Sequence, residues 1–469
     1  MKFINLTKNS VYLDDIKTSI PYSDEKPQLI DSQSIKKSYA FQQMVAMGGF
    51  KVIEASDERI EQNLLRLSSS FKASEEQLIE RKSSGSKIEV ILRGHFYETT
   101  GYSKVNRSLA LNLYRKECLV EIDPISFKNN DMNEMEAKVF SMFRRPVGSN
   151  AIQIDSVIPT QGKPLKNHYN ILYTTSEALS VPEQFIGVSN GYDEIWVTSS
   201  FSKEAFENSG CSRKITVVPP ILNGNMYKEN VLPYSFRPKL KSFVFLSVLT
   251  WGYRKGSDAL IRAFSRSFSA KDDVSLLLLV AEKSKDAQEQ IKAEIKKELG
   301  SSFSPHVCLC TKPIPEYQLP SFYKACNAFV LPSRGEGFGL PFCEASLCGL
   351  PVISTEHGGQ LDFLTHDNST LVPIDRLERA KNGATGVHYW DGLYFPSLTS
   401  NDFIDRLGQS MRNMVNNYDA QFVKNKLLQQ KILHEFSGET VSYKTKRILE
   451  AAWSLVKEMP NDSACQSVK

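Results

Sequence analysis

Two carboxylates eight residues apart, Glu336 and Glu344, stand in the stretch Leu331-Pro-Ser-Arg-Gly-Glu336-Gly-Phe-Gly-Leu-Pro341-Phe-Cys-Glu344. Each could grip a diol through paired hydrogen bonds. Gly335, Gly337 and Gly339 allow close backbone approach and positive φ, and a helix beginning near Pro341 offers unpaired N–H groups to a phosphate or to a sugar's polar edge. For either Glu alone a solvated loop charge or a helix-dipole complement is the more economical reading. With the glycines between them, a ligand site is favoured. A second charged element, Arg254-Lys255-Gly256, follows one apolar run and precedes a helical pattern, which suits a phosphate clamp better than a solvated pair.

The elements that must position these residues form an alternating series. Strands are expected at Phe243–Leu249, Val274–Ala281, His306–Cys310, Ala328–Leu331 and Pro351–Ser354, with helices near Asp258–Phe268, Asp286–Leu299, Glu316–Ala325 and Pro341–Cys348. Continuous apolar strands separated by helices argue for a parallel sheet covered on both faces, with ligands at the carboxyl ends of its strands. An earlier series has strands at Ile88–Leu92, Asn170–Thr174, Glu194–Thr198 and Ile215–Val218. It also has a helix opened by Gly101-Tyr102-Ser103 and another over Ser202–Ser209, with Ser202 as its expected N-cap. The expected fold is therefore α/β, two facing Rossmann-like parallel-sheet domains with a cleft between them. Its parts are an accessory module at 1–86, a first sheet domain at 87–237 and a second sheet domain at 238–438. Residues 439–469 read as a last helix, then a tail. Within the module, Ile60, Leu64, Leu67 and Phe71 mark one face of a helix from about Asp57 to Lys82, and Ser83–Ser86 reads as a linker.

Composition bounds the rest. The chain has 469 residues, 41% hydrophobic and 23% charged, with a net charge of +4. That length allows about two to four domains. The mild basic balance does not announce a nucleic-acid binder. The longest apolar run, Leu276–Ala281, is far short of the ~20 residues of a membrane helix, and the N-terminus lacks an apolar signal core. A cytoplasmic location is expected. The eight cysteines form no CxxC pair and read as free thiols, mostly buried.

The stretch SRGEGFGLPFCEASLCGLPVIST resembles the E-x7-E signature of retaining glycosyltransferases of family four, which have the GT-B fold. The resemblance continues in SVLTWGYRKGSDALIRAF, LPSFYKACNAFVLPS and EHGGQLDFL, and upstream in TGYSKVNRSLALNL, YTTSEALSVPEQF and DEIWVTSSFSKEAFENSGCSRKITVVPP. It covers roughly residues 88–455, and it implies that 87–237 is the acceptor-side domain, that 238–438 is the nucleotide-sugar domain and that a closing helix in 439–469 crosses back to the first. It also implies that Glu344 binds the ribose hydroxyls of a nucleoside diphosphate sugar, UDP- or GDP-linked, and that Glu336 lies against the donor sugar. Backbone amides of Gly337, Phe338, Gly339 and Leu340 would contact the sugar and distal phosphate, with Gly359 nearby. Arg254 and Lys255 would offset charge on the departing diphosphate. On the opposite wall, Gly101, Tyr102 and Ser103 would face the diphosphate or the acceptor, with His95 and Glu98 in the same loop and Glu177 at a strand end. Many relatives carry an additional Arg before the RKG element. Here Leu249 and Thr250 stand instead, and Thr250 could donate a hydroxyl.

The activity implied is transfer of a glycosyl group, with retention, to a hydroxyl of a saccharide, lipid-linked, protein or nucleic-acid acceptor. No nucleophile stands out and no Asp-x-Asp dyad suggests a metal, so catalysis would rest on positioning and charge stabilisation, with no cofactor beyond the nucleotide-sugar co-substrate. A GT-B sugar-nucleotide epimerase and a non-catalytic assembly partner are the competing readings. The N-terminal module, outside the resemblance, is expected to mediate acceptor, partner or oligomer contact.

Overall fold

The computed structural model describes residues 2–5, 11–13, 18–20, 28–29, 50–53, 87–98, 100–126, 143, 146–148, 150–228, 231–236, 239–300, 306–314, 316–380 and 388–458. The chain divides into two units, Met1–Gly85 with Leu232–Lys239, and Ser86–Val231 with Leu240–Lys469. In the first, Lys2–Asn5 pairs antiparallel with Gln28–Leu29 and with Phe50–Ile53, and Val11–Leu13 pairs with Thr18–Ile20. The helix expected over 57–82, the linker at 83–86 and the tail at 459–469 fall outside the described residues.

The second unit holds two six-stranded parallel sheets. The first comprises β1 (Glu89–Gly94), β2 (Leu119–Pro124), β3 (Ile152–Ser156), β4 (Tyr169–Thr174), β5 (Glu194–Val197) and β6 (Lys214–Val217), in the order β6-β5-β4-β3-β1-β2. The second comprises β7 (Phe243–Val248), β8 (Val274–Leu279), β9 (His306–Cys310), β10 (Ala328–Leu331), β11 (Val352–Thr355) and β12 (Thr370–Val372), in the order β9-β8-β7-β10-β11-β12. In each sheet the order reverses beside the first strand, the place where a doubly wound sheet opens a crevice at its carboxyl end. Every residue of β8, Val-Ser-Leu-Leu-Leu-Leu, is buried, as a strand covered on both faces must be.

Helices cover these sheets: α1 (Gly101–Arg115), α2 (Glu183–Ser189), α3 (Ser200–Asn208), α4 (Ser257–Ser267), α5 (Lys285–Leu299), α6 (Leu319–Lys324), α7 (Leu340–Leu347), α8 (Asn401–Asn416), α9 (Tyr418–Glu435) and α10 (Gly438–Lys457). After β12 the chain adds an antiparallel hairpin, β13 (Leu377–Arg379) with β14 (Tyr394–Pro396). Although it follows the second sheet in sequence, α10 packs on α1, β3 and β4 of the first.

Two local expectations are corrected. Ser199, not Ser202, caps α3: its side chain accepts the Ser202 N–H at 3.1 Å, because Ser199 has the extended backbone a cap requires. The helix expected over Glu316–Ala325 is a 3-10 turn, Glu316–Gln318, followed by α6, because Pro320 is tolerated only in a first helical turn.

Candidate active site

Arg254 and Lys255 are carried on a 3-10 turn, Tyr253–Lys255, between β7 and α4. Gly256 ends the turn at φ +66°, and a Cβ there would strike the Pro332 carbonyl, so the turn sits directly on the loop after β10. That loop delivers Glu336. Lys255 Nζ donates to Glu336 Oε1 at 2.5 Å, and both side chains are buried. Arg254 Nη1 donates to the Gly335 carbonyl at 2.7 Å and lies 3.8 Å from Glu336 Oε1 and 3.3 Å from Glu177 Oε1. The indole of Trp390, from the segment between β13 and β14, supports the Arg254 guanidinium at 5.1 Å.

The two carboxylates of this cluster are driven apart. Burial pushes Glu336 up, but the charges of Lys255 and Arg254 outweigh it and hold the carboxyl below its ordinary range. For Glu177 burial wins over Arg254 and Lys255, with Glu336 adding to it, and the carboxyl is raised. Two cations thus face one firmly ionised carboxylate and one reluctant one at the carboxyl ends of β4 and β10.

Glu344 is the fifth residue of α7, just past its first turn. It is 3% exposed. Its Oε2 accepts from Tyr323 Oη at 2.9 Å, and its Oε1 accepts from Lys104 Nζ of α1 at 2.6 Å. The amides of Gly337, Phe338, Gly339 and Leu340, at the start of α7, have no acceptor among the described residues. Such amides suit an anionic or hydroxylic ligand.

The remaining expected residues separate. Gly359 does not offer its amide, which donates to the Glu336 carbonyl at 2.7 Å and fixes the loop. The Phe338 side chain packs against Phe363 and Phe436, with ring centroids 5.1 and 5.2 Å away. Thr250 is exposed beyond the end of β7. Tyr102 Oη lies 3.4 Å from Thr174 Oγ1. His95 Nδ1 lies 3.2 Å from Glu98 Oε1, while Ser103 Oγ donates to Glu98 Oε2 at 3.2 Å, so this loop is tied to the start of α1. Gly101 there is exposed.

The glycines of the Glu336 loop serve a purpose the sequence does not announce. A Cβ on Gly337 would run into Thr175 Oγ1 of the opposite domain, so the two walls meet there. Thr198 Oγ1 donates across the same seam to the Gly337 carbonyl at 2.9 Å, and the Ser200 amide donates to Asp362 Oδ2 at 2.9 Å. Lys104, Tyr323, Thr198 and Trp390 also escape sequence reasoning. Only Lys104, one residue past Gly101-Tyr-Ser at a helix start, carried a usable signal.

Comparison with known proteins adds three findings. Residues 233–382 match the family described as "Glycosyl transferases group 1". Over 185 residues the chain is 29% identical to mannosylfructose-phosphate synthase of Agrobacterium fabrum, covering 36% of this chain and 39% of the relative, so the match spans about two-fifths of that protein's length. Among solved structures, sucrose-phosphate synthase from Thermosynechococcus elongatus superposes with a TM-score of 0.57 at 15% identity, over 79% of this chain and 100% of that one. Anabaena HepE in complex with UDP and glucose gives 0.56 at 14% identity, over 78% and 100%. No described helix is long and apolar enough to cross a membrane. The chain shares with these structures the GT-B fold, and its Glu336–Glu344 loop and its Arg254-Lys255 turn both lie inside the segment that matches the glycosyl transferases group 1 family.

Proposed function

We propose that the protein is a retaining glycosyltransferase that moves a glycosyl group from a nucleoside diphosphate sugar to an acceptor hydroxyl. One observation carries the reading: Lys255 and Arg254 converge on Glu336 beside the unpaired amides of Gly337–Leu340. The solved relative that holds UDP and glucose supports a uridine nucleotide as the first donor to test.

In this reading the amides and the two cations take the diphosphate, and Glu344 takes the ribose diol. The acceptor oxygen forms its bond to the anomeric carbon on the face from which the diphosphate leaves. The bond from that carbon to the phosphate oxygen breaks, and the acceptor proton passes to the leaving phosphate oxygen. Arg254 and Lys255 stabilise the charge that develops there, worth ~10²–10³ in rate for one such donor. Glu336, held ionised, orients Lys255 and the donor sugar, and Glu177 faces the acceptor side. The charge compensation is supplied by side chains, which makes the reaction metal-independent in this account.

The test is a screen of UDP-, GDP- and ADP-sugars for slow hydrolysis, followed by mass spectrometry with saccharide, lipid-linked, peptide and nucleic-acid acceptors. Transfer that depends on both a donor and an acceptor hydroxyl is expected. Interconversion of the donor sugar without acceptor would favour the epimerase reading, and no binding of any nucleotide sugar would favour a non-catalytic partner.

A further inference from the structure

The carboxylate assigned to the donor's ribose is already engaged by protein on both oxygens. Tyr323, on Oε2, is fully buried within the same domain as Glu344. Lys104, on Oε1, comes from the first turn of α1 in the opposite domain, and its side chain is 18% exposed. One turn further along α1, Arg107 Nη2 donates to Glu316 Oε2 at 2.6 Å, so two cations of one helix face cross to the second domain. Burial opposes the Lys104 charge, but Glu344 and Glu316 outweigh it and hold the ammonium firmly protonated.

A vicinal diol needs two acceptor positions on a carboxylate. The hydroxyls of Tyr323 and of Tyr227, which also hydrogen-bonds Glu344, belong to buried side chains packed in place, whereas Lys104 is the longer, more exposed and rotatable partner. The group that yields to an incoming diol is therefore Lys104. Resting on the donor reading above, we propose that Lys104 occupies the seat of the ribose hydroxyls and competes with the donor for Glu344. Donor entry then exchanges a bond between the two domains for a bond to the nucleotide, and Lys104 sets donor affinity from the wall opposite the nucleotide-binding domain. Arg107 crosses the same seam without touching Glu344, which separates competition for the carboxylate from general adhesion of the domains.

The experiment is calorimetric titration of the full chain with UDP, GDP and ADP. Lys104→Gln is expected to bind its nucleotide about fivefold more tightly than the unaltered protein, the gain from removing a partly exposed charged competitor. Lys104→Arg, which keeps the competing cation, should stay near the unaltered affinity, and so should Arg107→Gln. Lys104→Met serves as a second variant should Lys104→Gln melt early. Unchanged or weaker binding by Lys104→Gln and Lys104→Met would overturn the proposal, as would equal tightening by Arg107→Gln. If the unaltered protein binds none of the three nucleotides, the donor reading falls and takes this proposal with it. Binding by the unaltered protein with no gain in the variants sinks the proposal alone.

Discussion

Arg334 grips Asp258 with both arms of its guanidinium, Nη1 to Oδ1 at 2.8 Å and Nη2 to Oδ2 at 2.9 Å, behind the turn that carries Arg254 and Lys255. Nη1 also donates to the Tyr253 carbonyl at 2.6 Å, and the guanidinium lies 4.1 Å over the Tyr253 ring. The Arg334 amide donates to the Arg254 carbonyl at 2.6 Å. A fully buried arginine thus locks the cation-bearing turn to the carboxylate-bearing loop. Removing Arg334 strands the Asp258 carboxylate, whose side chain is 30% exposed, and breaks the contacts to Tyr253 and its carbonyl. Arg334→Met should therefore lower the melting temperature sharply. Lysine cannot reproduce a bidentate stacked contact. Arg334→Lys should fold yet show a raised donor KM and a lowered kcat, read from steady-state kinetics beside a thermal melt.

Lys255→Ala and Glu336→Gln should each cut transfer by ~10²–10³ while the circular dichroism spectrum stays native. The two effects should not add, because each variant removes half of one buried pair. Single-turnover rates of the two variants and their combination measure this. Wild-type turnover in both single variants would move the chemistry elsewhere.

Most of the second sheet is readable from its residues because its strands are apolar runs, and β9 and β10 fall on the residues expected. The first sheet hid β3, whose Ile-Gln-Ile-Asp-Ser breaks the apolar pattern although all five residues are buried. Asp155 is affordable there because the Lys163 amide and the Tyr192 hydroxyl donate to it at 2.6 and 2.5 Å. The strand β2 was hidden for another reason: its buried residues alternate with Glu121 and the exposed Asp123, so it offers no apolar run. At the site, Glu336, Arg254 and Lys255 were legible because their types and neighbours imply charge chemistry. Thr198 and Trp390 were not, and Lys104 was only by its place at a helix start, since each acts through a partner between 136 and 240 positions away, and no local spacing records that.

Gly337→Ala tests whether the walls must meet for turnover. The added methyl would strike Thr175, and the Thr198 bond to the Gly337 carbonyl would stretch with it. Displacement of a reacting loop by about 1 Å can cost ~10²-fold. Transfer should fall by at least about tenfold on that scale, with nucleotide affinity lowered as well, because the Gly337 amide is one of the donors assigned to the diphosphate. Thr175→Ala in the same chain removes the hydroxyl and methyl in the way and should restore part of the rate.

His357 adds its own pH dependence to stability. Its Nε2 is buried with no hydrogen-bond partner among the described residues, and its ring stands edge-on to Phe201 of α3 at 5.2 Å between centroids. Burial pushes its pKa down to about 4 from an ordinary 6.5. The folded protein therefore binds fewer protons than the unfolded chain between those values. Stability from this group is complete above about 6.5 and is lost as pH falls toward 4. Because Phe201 belongs to the first domain and His357 follows β11 of the second, protonation also loosens the seam that Ser200 and Asp362 close nearby. Melting temperatures measured from pH 7.5 to 4.5 should fall less steeply for His357→Gln than for the unaltered protein. Parallel curves would show that this ring does not titrate with unfolding.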